Sequence, residues 1–293
     1  MAISISLLLL SGCSTKASDS HQIDVVAHRG GAALAPENTL AAFAVALDND
    51  VDTVELDIHL SKDGSLMVIH DALLVRLTGK AGAVSDYTEN ELAQFDVAAT
   101  FKNGKHYFGF QKMPTLDEVI EFVEGNSSRP ILYQIEIKLK DDGSRYERIE
   151  QKLVDALQKH SITDRTIVIS FDFPTLATIA ELEPKLQLGA LISKEYLASK
   201  GITGPEIVAK NMQELNVDYV GIKYEYLSQE LYNQFRSYKL GVGVWTVDDT
   251  INMRKFEKMG VDFITTNRPD LLNQVLDRKI KKPVSSSNSP WYQ

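Results

Sequence analysis

A chain of 293 residues is long enough to bury a full core, and its single cysteine excludes both an internal disulfide and a cysteine-based zinc site. With 44% hydrophobic and 24% charged residues it has the composition of a globular protein. A net charge of −9 argues against a nucleic-acid backbone as the main partner, because such a partner needs a basic face. It does not exclude a small phosphorylated ligand held by a metal ion and a few basic side chains.

The first element is an apolar run over residues 2–10, too short to span a membrane comfortably. It ends in Leu10-Ser11-Gly12-Cys13, which resembles a bacterial lipobox whose cysteine is lipidated and becomes the new first residue. Residues 1–13 therefore read as a lipoprotein-type signal segment and 14–22 as a polar tether. The expectation is an exported protein, on the periplasmic or cell-surface side, touching the membrane only through a lipid anchor at Cys13. No Lys or Arg precedes the apolar run, a departure from the positive start of secretory signals.

From residue 23 strand-like and helix-like runs alternate. Strands are predicted at Asp24–Ala27, Thr53–Ile58, Leu66–Ile69, Ile131–Ile137, Thr166–Ser170, Leu188–Ile192, Tyr219–Ile222, Val242–Trp245 and Asp262–Thr265. Amphipathic helices are predicted at Thr39–Leu47, Leu116–Val123, Arg145–Lys159, Thr175–Leu182, Pro205–Leu215, Gln229–Tyr238 and Ile251–Met259. This alternation indicates a parallel sheet with helices packed outside it. Nine strands are one too many for an eight-stranded barrel, but Ser61-Lys62-Asp63-Gly64-Ser65 is a hairpin signal. Leu66–Ile69 is thus expected to fold back antiparallel, leaving a TIM (β/α)8 barrel over 23–278. Residues 71–114 form a small cap between barrel strands two and three. The alternative is an open doubly wound sheet, but no Gly-rich phosphate loop follows the first strand. Residues 279–293, rich in Ser, Lys and Pro, read as a disordered tail.

Reactive groups in this fold gather at the C-terminal ends of the strands. His28 and Arg29 close the first, and Glu55 and Asp57 sit two apart on one face of the second. His70 closes the extra strand, and Glu136 and Lys138 share a face of barrel strand three. Carboxylates crowded on one inward face repel one another and lose solvation, and a divalent cation removes both problems. Three of them with open positions suit one Mg2+ or Ca2+, while zinc lacks its usual ligands. Taken singly, a strand carboxylate is most often a solvated charge and a strand-end histidine most often structural. It is the grouping that points to a site. His21, His59, His106 and His160 lack this company, and His59 is expected to face away from Glu55 and Asp57.

A metal, two histidines and cationic side chains meet the needs of phosphodiester hydrolysis. The metal polarises a phosphoryl oxygen, and the histidines move protons to and from the alcohols. Arg29 and Lys138 would stabilise charge on the phosphate.

At these residues the sequence resembles the glycerophosphodiester phosphodiesterase family. The matching runs are Ala27-His28-Arg29-Gly30-Gly31, Ala35-Pro36-Glu37-Asn38-Thr39, Glu55-Leu56-Asp57 and Val68-Ile69-His70-Asp71. They continue with Met113-Pro114-Thr115-Leu116-Asp117-Glu118, Glu136-Ile137-Lys138, Val244-Trp245-Thr246-Val247 and Thr266-Asn267-Arg268-Pro269. They fall in family order across roughly residues 24–277, which is far more specific than any one short motif. The resemblance implies a TIM barrel with His28 and His70 as general acid and base. It implies Glu55, Asp57 and Glu136 around one divalent cation, Arg29 and Lys138 on the phosphate, and Trp245 lining the glycerol pocket. The implied substrate is a small glycerophosphodiester, cleaved to glycerol 3-phosphate and an alcohol. Two other functions fit the same residues: a lysophospholipase D or phospholipase acting on lipid, and a non-enzymatic lipoprotein that binds a phosphorylated ligand. A sugar isomerase on this barrel would need ligands for a second metal, and the sequence does not supply them.

Overall fold

The computed structural model describes residues 22–102, 108–199 and 201–278. The signal segment, Cys13, the tail at 279–293, His21 and His106 lie outside the described residues, as does nearly all of the tether.

Among the described residues nine strands form one sheet: β1 (Asp24–Ala27), β2 (Thr53–Leu60), β3 (Leu66–Val68), β4 (Leu132–Ile137), β5 (Thr166–Ser170), β6 (Gln187–Ile192), β7 (Tyr219–Lys223), β8 (Gly241–Trp245) and β9 (Phe263–Thr266). Their order is β1-β9-β8-β7-β6-β5-β4-β2-β3, and β1 also pairs with β2, so eight parallel strands close into a barrel. β3 runs antiparallel on β2, as the Asp63-Gly64 turn predicts. β1 ends at Ala27, opposite Val54, and leaves the upper edge of β2 unpaired. β3 takes up that edge at Ile58–Leu60 and runs back toward the end of β1. This delivers His70, just past β3, to the neighbourhood of His28.

The outer helices are α1 (Leu40–Asp48), then α2 (Val75–Thr78) and α3 (Glu89–Leu92) in the cap, and α4 (Leu116–Asn126) and α5 (Ile149–Lys159) beyond it. α6 (Phe173–Leu182), α7 (Lys194–Leu197), α8 (Pro205–Glu214), α9 (Gln229–Ser237), α10 (Thr250–Met259) and α11 (Pro269–Val275) complete the ring. Their starts are written in the sequence. Thr39, Thr115, Asp172, Ser228 and Asp249 each cap a helix by accepting a backbone N–H. α5 shows the packing rule: Ile149, Leu153, Val154 and Leu157 lie on one buried stripe against the barrel.

Of the boundaries that differ from expectation, two bear on the site. α5 begins at Ile149 rather than Arg145, because Arg148 adopts a left-handed conformation at its N-cap, with φ of 60°. Arg145 instead binds buried Glu150 at 2.6 Å, and Tyr146 turns inward. β2 extends to Leu60, two residues past the predicted end, because β3 pairs with its tip. The 71–114 cap is small, as expected, but has its own apolar cluster, in which Met67 of β3 and Ile69 just past it meet Leu74, Leu77, Val84, Leu92, Val97 and Met113.

Candidate active site

β2 and β4 set the polar centre. Their parallel register pairs Asp57 with Glu136 and Glu55 with Gln134, so all four point inward at adjacent levels. Glu55, Asp57 and Glu136 are buried, and each offers an oxygen within 4.8 Å of the others'. Lys138 Nζ lies 2.7 Å from Glu136 Oε1 and 3.1 Å from Asp57 Oδ1. Burial and the facing charges of Asp57 and Glu136 push Glu55 well above the usual carboxylate range. Burial and Asp57 likewise push Glu136 up to about 7, against the opposing pull of Lys138. Burial would raise Asp57 too, but Lys138, Arg29 and His70 hold it far down. Lys138 itself is held above its ordinary value, against its burial, by Asp57 and Glu136. Three buried carboxylates face two cations, Lys138 and Arg29, and among the described residues Asp57 Oδ1 has no hydrogen-bond donor of good geometry. This donor set fits an oxygen-seeking divalent cation.

The turn after β1 supplies the next groups. Arg29 adopts left-handed φ and ψ of 50° and 35°, which aims its N–H at Glu55 Oε2, 2.8 Å away. Gly30 follows with φ of +79°, and a Cβ there would sit 2.8 Å from Ala42 Cβ on α1, so the turn requires glycine. The Arg29 side chain donates to Glu37 Oε1 at 2.9 Å and lies 3.5 Å from Asp57. Asn38 donates its amide to Asp57 Oδ2 at 2.9 Å.

Both site histidines are fixed through Nδ1. His28 Nδ1 is 2.7 Å from Asn267 Oδ1. The Asn267 amide nitrogen donates to Asp248 at 2.8 Å, so the oxygen must face His28 and Nδ1 carries the proton. His70 Nδ1 is 2.7 Å from Asp71 Oδ1. Each ring therefore keeps Nε2 for chemistry. Burial, with the charge of Arg29, lowers His28 to about 4. Burial also lowers His70, opposed by Asp57 and Asp71.

These groups line one cavity of about 190 Å3 at the barrel mouth. His28, Arg29, Glu55, His70, Glu136 and Lys138 make its polar wall, on the β1, β2 and β4 side. Ile169, Phe171, Leu191, Trp245 and Phe263 make the apolar wall opposite. Trp245 packs edge-to-face on Phe171 with ring centres 5.6 Å apart. All eight residues singled out from the sequence thus lie in or beside this cavity.

One sequence expectation fails. His59 does not face away from the carboxylates: positions 55, 57 and 59 share parity on β2, so all three point inward. His59 is buried, with Nδ1 2.8 Å from Tyr146 Oη and Nε2 3.1 Å from the His70 carbonyl. It braces the backbone of His70 from below. Sequence reasoning also gave no role to Asn267, Asp71, Glu37 and Asn38. All four stand inside the recognised runs, and that was the available signal. Gln134 and Arg76 carried no signal.

A closed (β/α)8 barrel with acid–base and carboxylate groups converging at its C-terminal mouth defines an enzyme of the TIM-barrel class. Residues 28–271 match the model of the glycerophosphoryl diester phosphodiesterase family. A glycerophosphodiester phosphodiesterase of Caldanaerobacter subterraneus subsp. tengcongensis is 32% identical over 248 residues, covering 85% of this chain and 95% of that protein. A Bacillus subtilis glycerophosphodiester phosphodiesterase is 31% identical over 268 residues, covering 87% and 86%. Among solved structures, the glycerophosphodiester phosphodiesterase of Thermotoga maritima superposes with a TM-score of 0.68 at 28% identity, covering 87% of this chain and 99% of that one. The chain belongs to the glycerophosphoryl diester phosphodiesterase family, and its activity is hydrolysis of glycerophosphodiesters.

Proposed function

We propose that His28 and His70 are the acid–base pair of this hydrolysis, and that Glu55, Asp57 and Glu136 hold one Mg2+ or Ca2+. The observation that carries the reading is the shared fixation of the two histidines. Each is pinned through Nδ1, to Asn267 and Asp71, and each lines the cavity that holds the carboxylates. One Nε2 takes the proton of the attacking hydroxyl as its oxygen bonds to phosphorus. The other returns a proton to the leaving alcohol oxygen as its bond to phosphorus breaks. Bound at the carboxylates, the cation supplies charge for a phosphoryl oxygen and a lower pKa for the nucleophile. Lys138 and Arg29 add positive charge beside the phosphate, and their partners Glu136, Asp57 and Glu37 hold them in place. Trp245 and the apolar wall pack the carbon side of the glycerol. The products are sn-glycerol 3-phosphate and an alcohol.

A lipid substrate finds less support. Among the described residues of the cap the exposed large apolar side chains are Leu73, Val75 and Phe110, and the charged Arg76 follows Val75. Anchoring at Cys13 on the outer side of a membrane remains part of the reading. It rests on Leu10-Ser11-Gly12-Cys13 and is tested by whether Cys13→Ala abolishes radiolabelled palmitate incorporation. The activity test is glycerol 3-phosphate release from glycerophosphocholine, glycerophosphoethanolamine and glycerophosphoglycerol, with Mg2+, Ca2+ or chelator. Metal-dependent release supports the reading, and the ranking names the leaving alcohol. Release that survives chelation removes the cation from it. Folded protein that releases nothing favours the phospho-ligand-binding lipoprotein.

A further inference from the structure

His70 and Arg29 follow strands with no ladder between them: among the strands β3 pairs with β2, with a further bridge from Met67 to Thr115, while β1 pairs with β2 and β9. Both are tied to β2, and among the described residues no backbone hydrogen bond runs directly from one segment to the other. A chain of charged side chains spans the gap instead. His70 Nδ1 meets Asp71 Oδ1 at 2.7 Å, and the other oxygen of Asp71 accepts from Arg76 Nε. Arg76 then donates from Nη1 to Glu37 Oε2 at 2.9 Å and from Nη2 to Glu37 Oε1 at 2.6 Å. Glu37 Oε1 also accepts from Arg29 Nη1 at 2.9 Å. Arg76 belongs to α2, in the cap, whereas Glu37 lies in the β1–α1 loop and Asp71 follows β3.

We propose that Arg76 is a positioning residue for phosphodiester cleavage, its guanidinium fork holding Asp71 and Glu37 at once and so setting His70 and Arg29 relative to each other. The proposal rests on the acid–base reading of His70 given above. Three features support it. The fork uses all three of its nitrogens, which a single ammonium cannot imitate. Arg76 is also the cation that lies between two carboxylates which would otherwise repel. Finally, its side chain is 44% exposed and the buried residue of α2 is Leu77, so the fold does not depend on Arg76 for packing. The cap thereby becomes part of the catalytic apparatus rather than a cover.

The experiment compares full-length wild type with Arg76→Ala and Arg76→Lys, using glycerophosphocholine and Mg2+. In Arg76→Ala kcat falls by about 100-fold, as an ångström-scale misplacement of a catalytic group does, with the melting temperature close to wild type. Methylguanidinium restores part of the loss and methylammonium does not, and Arg76→Lys stays low. The hydrogen-bonded His70 Nδ1–H proton resonance, read on the resting protein, moves in both variants. Wild-type kcat in Arg76→Ala overturns the proposal, as does wild-type kcat in Arg76→Lys or equal rescue by the two amines. Should Arg76→Ala fail to fold, Arg76→Lys decides by the same criteria. Should wild type turn over no glycerophosphodiester, the activity reading fails by itself. The resonance then decides, and an unmoved signal in Arg76→Lys overturns the positioning role.

Discussion

Asn267 looks like a loop residue, yet it dictates which nitrogen of His28 is available. Asp248 takes its amide hydrogen and leaves only its oxygen for the imidazole. Asn267→Ala leaves His28 in its pocket but frees the tautomer, so kcat is expected to fall about 10- to 100-fold. KM for glycerophosphocholine should change little, and steady-state kinetics checks the split. On the proposed acid–base reading, His28→Ala and His70→Ala remove the proton carriers themselves. Each is expected to cost about 100- to 10,000-fold in kcat while the circular dichroism spectrum survives. Near-full activity in either variant would remove that histidine from the mechanism. At this scale the sequence was legible where chemistry lies on strand ends: His28, Glu55, Asp57, His70 and Glu136 follow from parity and position. The long-range orienting contacts were not, because they join residues far apart in the chain. His28 and Asn267 are 239 residues apart, and Arg76 and Glu37 are 39.

Among the elements, β3 and the loop after β4 do the most for the site. β3 brings His70 to the end of β1, and the loop after β4 sends Tyr146 inward to His59, which holds the His70 carbonyl. Tyr146→Phe removes the donor to His59 Nδ1 and leaves a buried acceptor unsatisfied. A loss of about 1–3 kcal/mol in unfolding free energy is expected, read from urea denaturation. A wild-type midpoint and slope would show that the brace contributes nothing. The hairpin was legible because Asp-Gly turns specify it locally. The inward turn of residues 145–148 was not, because amphipathic periodicity runs on through Arg145 while the tertiary pull of Glu150 and His59 ends the helix at Ile149.

For the whole molecule, charge at the barrel mouth couples metal, pH and stability. Without a cation, Glu55 and Glu136 titrate above their ordinary values, because burial and like charge favour the neutral forms. A raised folded pKa contributes stability that is full below the ordinary carboxylate value near 4.5 and is lost as pH rises, through about 7 for Glu136. A cation needs those carboxylates ionised, so its affinity rises over the same range. The gain in melting temperature on adding Mg2+ is therefore expected to be larger at about pH 8 than at about pH 5. An equal gain at both, by differential scanning calorimetry, would mean that the ion binds elsewhere. His28 and His59 act in the opposite sense. Both are lowered by burial to about 4, so the stability they contribute is lost as pH falls from about 6.5 through that value.

The closure of the barrel has a consequence of its own. β1 and β2 are joined over two residue pairs, Val26 with Thr53 and Ala27 with Val54, as few as join β8 and β9, whereas β2 and β4 are joined over six. The β1–β2 seam lies directly beneath His28 and Glu55, so a weakly laddered joint of the ring is also the place of the proposed acid–base and cation groups. Parting of the seam would separate the proton carrier on one lip from the carboxylates on the other while the remaining strands stay laddered. Catalysis should then fail in urea before the far-ultraviolet dichroism does, and coincident curves would mean that the seam and the rest of the barrel open as one.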